Sequence, residues 1–296
     1  MDLRTPKLPA EERRAATVEA VIALAAGCDP GEITTTAIAS RMQLTQGALF
    51  RRWPPRIQEV PIRKLAQALQ QLHDLLPLKE RQDSLTKPYR ELHRAILRSL
   101  IERGRPLGND EIAKAVGGAD AARDAVALLG AYDLVVLGPL TVTDVRTQHQ
   151  VVLGGMGAEI VGAYPVTTER TPHKIKVDGH DLYAMCAVDA LAVGAAFDKE
   201  VVIESSCHVT GEPIHIQQRR KEILKSTPAA AGIRVGVRWQ RLSTAAAHCL
   251  CRQMVFLKDA ATADKWQGKD PATMDVFTLA EAIDFGEAFF APLLQD

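Results

Sequence analysis

At 296 residues the chain is long enough for two or three domains, each with a buried core. Its 36 basic residues balance its 36 acidic ones, so no global field draws it toward nucleic acid or a membrane, and any DNA contact must come from a local patch. No apolar run reaches the length of a membrane span, and the opening MDLRTPKLPAEERRAA lacks the apolar region of a signal peptide, which predicts a cytoplasmic protein. Five cysteines are too few and too unevenly spread for a secreted disulfide scaffold, so they are read as thiols available to metal or chemistry.

Residues 16–26 carry Val18, Val21, Ile22 and Leu24 and predict a first helix, which Cys28-Asp29-Pro30-Gly31 breaks. Residues 34–42 predict a second helix. After the turn at Gln43-Leu44, Thr45 caps a third over residues 46–53. Two short helices across a tight turn have helix-turn-helix spacing. Thr35-Thr36-Ala37-Ile38-Ala39 and Leu44-Thr45-Gln46-Gly47-Ala48-Leu49-Phe50-Arg51-Arg52-Trp53 are similar to the DNA-binding head of TetR-type repressors. The resemblance implies a DNA operator as partner, with contacts from Thr35, Thr45, Gln46, Arg51 and Arg52. It departs from that family after Trp53, where Pro54-Pro55 ends the helix. Without DNA binding, the same segment is a helical cap.

Residues 57–76 place Ile57, Leu65, Leu69, Leu72 and Leu76 on one stripe and predict a helix. It either packs on the head or forms a homodimer contact, since helix-turn-helix proteins usually read two half-sites. The polar, proline-bounded residues 77–88 predict a linker. Helices are then expected over 89–103, 111–116 and 120–129, and strands over 134–137 and 150–153. Three helices and a hairpin suggest a winged helix. Gly154-Gly155-Met156-Gly157 lacks the spacing of a nucleotide loop and reads as a turn.

The stretch on which the chain turns is Lys176–Ile216, centred on Cys186-Ala-Val-Asp189. Its Ala, Leu and Met content predicts a helix over 181–196, on which Cys186 and Asp189, three apart, share a face. Strands are expected over 199–205, from 214, over 235–239 and over 247–257, and a C-terminal helix over 281–290. On the 247–257 strand Cys249 and Cys251 would face one way. A thiolate is a soft nucleophile and soft metal ligand, and a nearby carboxyl can carry a proton. A buried helical cysteine can equally be a small hydrophobe, and His248 with Cys249 and Cys251 offers an incomplete zinc set.

Tyr183-Ala-Met-Cys186-Ala-Val-Asp189, followed by Ser205-Ser206-Cys207-His208-Val209-Thr210-Gly211-Glu212-Pro213, resembles the core of the organomercurial (alkylmercury) lyases. Phe256 and Asp264-Lys265-Trp266 extend the resemblance and place Cys251 at that family's second catalytic cysteine. The resemblance implies Cys186, Asp189 and Cys251 as the catalytic and mercury-binding set, with Cys186 binding first. It makes Cys207 structural and Cys249, which departs from the family pattern, a candidate third thiol. No organic cofactor is implied. Hg(II) is the bound product, small thiols release it, and a mercuric reductase is the implied acceptor.

The whole reads as α+β in three parts. Residues 1–80 are an all-α helix-turn-helix head and linker, 81–165 a winged-helix-like covering domain, and 166–296 a mixed α/β lyase core with antiparallel strands. The expected function is cleavage of the carbon–mercury bond, with a head that would regulate mercury-resistance genes. The alternatives are a mercury-sensing regulator with little turnover and a thiolate carrier without a DNA role.

Overall fold

The computed structural model describes residues 40–41, 59–138, 140–143, 150–153, 159–268 and 273–295. Ser40 and Arg41 are helical. The remainder of the expected helix-turn-helix, with Thr35, Thr45, Gln46, Arg51 and Arg52, lies outside the described residues, as does Gly154–Gly157. Contacts divide the chain into Met1–Lys64 and Leu65–Asp296, and every described strand belongs to the second unit. No described helix is long and apolar enough to cross a membrane.

Helix α1 spans Glu59–Leu75 and buries Ala68 and Leu72, with Leu76 just beyond it. The expected linker at 77–88 is instead helical. Helix α2 (Leu78–Ser84) buries Leu78 and Gln82, and α3 (Lys87–Arg103) begins within the same stretch, with Pro88 in its first turn. Proline is harmless there because the first amides of a helix have no intrahelical partner. The polarity of 77–88 concealed two anchors. Gln82 Nε2 donates to the Leu293 carbonyl and meets His93 Nδ1, both at 2.9 Å.

Helix α3 buries Leu92, Ile96, Leu97, Leu100 and Ile101, each contributing roughly 1.5–3 kcal/mol of apolar burial. It closes on Gly104 at φ 65, a left-handed cap that suits glycine. Helices α4 (Asn109–Val116) and α5 (Ala119–Ala131) follow, packed on each other.

The strands expected at 134–137 and 150–153 do not pair with each other. β1 (Val136–Leu137) pairs with β4 (Ile160–Ala163), whereas β2 (Leu140–Thr143) and β3 (Gln150–Leu153) form a separate hairpin. The large sheet adds β5 (Val166–Thr167), β6 (His173–Val177), β7 (His180–Ala184), β8 (Glu200–Ser206), β9 (Pro213–Arg219) and β10 (Glu222–Thr227). Its order is β1-β4-β5-β7-β6-β8-β9-β10, antiparallel throughout.

The expected helix over 181–196 is also two elements. Residues 180–184 form β7, and only Ala187–Ala196 form helix α6. The reason lies upstream. Asp178-Gly179 turns the chain with φ 48 and φ 84, the paired left-handed geometry of a tight hairpin. It folds His180–Ala184 back onto His173–Val177, and this pairing overrides local helix propensity.

A smaller sheet orders β12 (Met254–Leu257), β11 (Arg234–Arg238) and β13 (Met274–Thr278). The strand expected over 247–257 is confined to β12. Before it run two short 3₁₀ turns, Ala246–His248 and Cys251–Gln253. Helix α7 (Ala260–Gln267) starts at an Asp259 cap, and α8 (Leu279–Phe290) at a Thr278–Glu281 capping box. Helix α6 is buried from Ala187 to Gly194, packed between the large sheet and α8. At that crossing a Cβ on Gly286 would stand 2.8 Å from Ala192 Cβ, so only glycine lets the two helices approach so closely.

Candidate active site

The candidate site is built from the start of helix α6. Cys186 is its N-cap, in extended backbone at φ −154, ψ 178. Its Sγ accepts the backbone N–H of Asp189 at 3.3 Å. The three-residue spacing therefore works as a cap, not as one face of a helix: Cys-x-x-Asp occupies the positions where serine and glutamate make a capping box. Both side chains are drawn to the same helix end. Cys186 is fully buried and Asp189 is 2 % exposed.

Cys251 arrives from the second 3₁₀ turn. Its Sγ, the Cys186 Sγ and an Asp189 carboxylate oxygen all lie within 4.8 Å of one another. Cys186 also donates its S–H to Met254 Sδ at 3.6 Å, at the first residue of β12.

Burial governs the titration of this cluster. It pushes the Asp189 carboxyl up to about 7, although hydrogen bonds from Cys186 and Cys251 pull the other way. Asp189 Oδ2 is buried with no hydrogen-bond partner among the described residues. Such an orphaned acceptor is costly and calls for an explanation in function. Burial, followed by the bond to Cys251 and the charge of Asp189, raises the Cys186 thiol well above its ordinary range. For Cys251 the hydrogen bond from Cys186 lowers the value, but burial and the charges of Asp189 and Asp133 outweigh it and bring it to about 11. Both thiols thus keep their protons at neutral pH, and the one nearby group poised to exchange a proton there is Asp189.

A cavity of about 610 Å³ opens onto the cluster. Cys251, Met185, His173, His248, Arg252 and Phe256 are among the residues that line it, whereas Cys186 and Asp189 stand behind. Burial pushes His173 down to about 4, so it is a neutral wall, with Nδ1 at 2.8 Å from Ser205 Oγ.

The two remaining described cysteines are not part of the cluster. Cys207 follows β8 in a turn where Gly211 N–H donates to its carbonyl at 2.8 Å, and its Sγ accepts the Lys258 N–H at 3.4 Å. That turn ties β8 to β12, and His208 N–H adds a bond to the Phe256 carbonyl at 2.9 Å. Cys249 Sγ donates to the carbonyls of Thr244 and Ala245 at 3.5 and 3.4 Å. It does not look the same way as Cys251 because the chain there is 3₁₀, not extended.

A polar bridge that sequence reasoning missed holds the first of these turns. Tyr164 Oη donates to Asp133 Oδ1 at 3.0 Å and accepts the Ala247 N–H at 2.7 Å, while Ala246 N–H donates to Asp133 Oδ2 at 2.8 Å. Both side chains are buried. The only local hint was Asp133 itself, at φ 54 in the turn after α5, a conformation that Asp tolerates better than most residues.

Part of the chain is similar to known proteins. Residues 166–291 match the MerB family model, described as alkylmercury lyase. The chain is 32% identical over 110 residues to the alkylmercury lyases of Bacillus cereus and Clostridium butyricum, a match that covers 37% of this chain and 49% of each relative. It is 27% identical over 119 residues to that of Streptomyces lividans, over 40% of this chain and 54% of the relative. The chain thus spans about half the length of the curated relatives it matches. The crystal structure of the mercury-bound form of MerB2 superposes with a TM-score of 0.56 at 24% identity, over 73% of this chain and 98% of that one, a likeness of fold. Residues 166–291 are thus similar in sequence to the alkylmercury lyases.

Proposed function

We propose that this chain cleaves the carbon–mercury bond of organomercurials by protonolysis, releasing a hydrocarbon and Hg(II). The observation that carries the reading is the buried group of Cys186, Cys251 and Asp189, with one carboxylate oxygen unpartnered. A carbon–mercury bond is nearly nonpolar. Breaking it takes soft donors to push electrons onto carbon and an acid to protonate that carbon.

The cavity lining supports one order of events. Cys251 lines it and Cys186 does not, so the substrate R–Hg–X meets Cys251 first, the reverse of the order suggested by the resemblance. Asp189 takes the Cys251 proton as the sulfur–mercury bond forms and X⁻ departs. Cys186 then adds to the same mercury. Neutral Asp189 returns its proton to carbon, the carbon–mercury electron pair goes to that carbon, and R–H leaves. The carboxylate regenerated in this way accepts the Cys186 proton. The sum is R–Hg–X plus two thiols giving R–H, a mercury dithiolate and HX. An acid with a pKa of about 7 can play both parts at neutral pH. No organic cofactor enters the scheme, and small thiols would strip the product.

Around this core, the reading keeps Cys207 as a structural thiol that ties β8 to β12, and residues 81–165 as a winged-helix-like cover. For Arg13–Trp53 it keeps a DNA-binding head acting on an operator, as a homodimer, with a mercuric reductase as downstream acceptor. The support for the head is its sequence resemblance, and a salt-dependent shift of operator DNA would test it.

The deciding experiment supplies phenylmercury and excess small thiol and follows benzene and Hg(II). Many equivalents of each are expected. One equivalent or none, with mercury retained, would sink the lyase reading in favour of a sensor.

A further inference from the structure

A sulfur that is not a thiol also stands beside Cys186. Met254 Sδ lies 3.6 Å from Cys186 Sγ and accepts its S–H. The thioether is 3 % exposed, at the first position of β12, where backbone pairing of Met254 with Val237 fixes its place. A methionine buried in a core needs no hydrogen-bond donor, and a thioether is a weak acceptor. Its sulfur nevertheless lies within hydrogen-bond reach of the thiol that anchors helix α6.

We propose that Met254 is a third soft donor to the mercury held by Cys186 and Cys251; this rests on the lyase reading above. When mercury binds Cys186 it replaces the thiol proton. Met254 Sδ stands 3.6 Å from the sulfur that then holds the metal, close enough for a thioether lone pair to reach mercury seated between the two. Thioether sulfur belongs to the soft ligands that suit a soft metal. The contact is dative: no bond of Met254 breaks, no proton moves and nothing is oxidised. Its effect is to add electron density to mercury while carbon leaves and to slow the loss of Hg(II) afterwards.

X-ray absorption at the mercury edge reads the coordination directly, without turnover. Hg(II)-loaded protein is expected to show two short sulfur neighbours and one longer one. In selenomethionine-labelled protein the longer neighbour becomes selenium. That selenium signal should persist in labelled Met185→Leu, since Met185 is the other thioether near the site, and vanish in labelled Met254→Leu. Leucine nearly conserves methionine's volume, so the fold is retained. Capture of Hg(II) from Met254→Leu by a competing small thiol should be roughly tenfold faster. A spectrum without selenium, or one unchanged in Met254→Leu, overturns the proposal while leaving the thiol pair intact. Mercury whose signal is indifferent to Cys186→Ser would overturn both this proposal and the lyase reading.

Discussion

The two halves of the site are built in opposite ways. Cys186 and Asp189 sit where strand β7 hands over to helix α6, inside regular structure that is buried from Ala187 to Gly194. Their relative position is a local matter, set by one cap over three residues. Cys251 opens the second of two 3₁₀ turns, and what holds the first is distant: Asp133 and Tyr164 reach Ala246 and Ala247 across 113 and 83 residues of sequence. The thiol behind the cavity is therefore placed by secondary structure, and the thiol that faces the cavity by a polar bridge. In the proposed reaction two sulfurs close on one metal, and on that reading one donor is rigid and the other is carried on a segment that adjusts.

The largest expected effect falls on the rigid half. Asp189→Asn keeps both thiols and the cap but has no proton to trade, so single-turnover cleavage of phenylmercury should fall by at least ~10³-fold, while Hg(II) still binds. Cleavage at the normal rate in this variant would remove Asp189 from the mechanism.

The same carboxyl should be visible in stability. Its pKa is about 7 when folded, against an ordinary value of 3.8. Between pH 4 and 7 the folded chain keeps a proton that the unfolded chain has released, so stability falls as pH rises through that window and is level above it. The full span is on the order of 4 kcal/mol. His173 and His93, both pushed down to about 4 by burial, act in the opposite sense between pH 4 and 6.5, so the difference between wild type and Asp189→Asn isolates the carboxyl. From pH 5 to pH 8 the denaturant midpoint should rise more in the variant than in wild type, because the opposing loss from the carboxyl is gone; an equal change in both would mean that Asp189 ionises normally.

The adaptable half is tested by Tyr164→Phe. The variant loses the hydroxyl that joins Asp133 to Ala247 and leaves buried polar groups unpaired, at a cost of about 2 kcal/mol. Turnover should drop roughly 10- to 100-fold. The alkylation rate of Cys251 should change while the slow alkylation of Cys186 does not. Equal changes at both thiols would show that the bridge supports the whole fold rather than one turn.

The contrast also explains what the sequence could reveal. Cys186, Asp189 and Cys251 were identifiable because two are local neighbours and the third stands at a fixed spacing before Phe256 and Trp266. Strand β8 and helix α8 were legible from β-branched and apolar patterns. The β7 strand was not, since Leu182-Tyr183-Ala184-Met185 favours a helix locally and only the Asp178-Gly179 turn says otherwise. The helical nature of 77–88 was hidden because just Leu78 and Gln82 are buried in α2. Asp133 and Tyr164 left no pattern at all, because their partners are backbone amides more than eighty residues away. Which thiol lines the cavity was illegible for the same reason.

The smallest effect belongs to Cys249, and it sharpens the comparison most economically. Extended backbone over 247–251 would have turned this thiol toward the site beside Cys251. The 3₁₀ turns instead aim its sulfur at the carbonyls of Thr244 and Ala245. A serine there keeps a donor of nearly the same reach, and hydroxyls donate to carbonyls at least as well as thiols do. Cys249→Ser should therefore leave turnover within about twofold and stability within ~0.5 kcal/mol, with mercury bound in the same ratio to protein. Release of Hg(II) measurably faster than from wild type would mean that the loop swings Cys249 onto the metal during the reaction. The adjustable half would then carry two working thiols and not one.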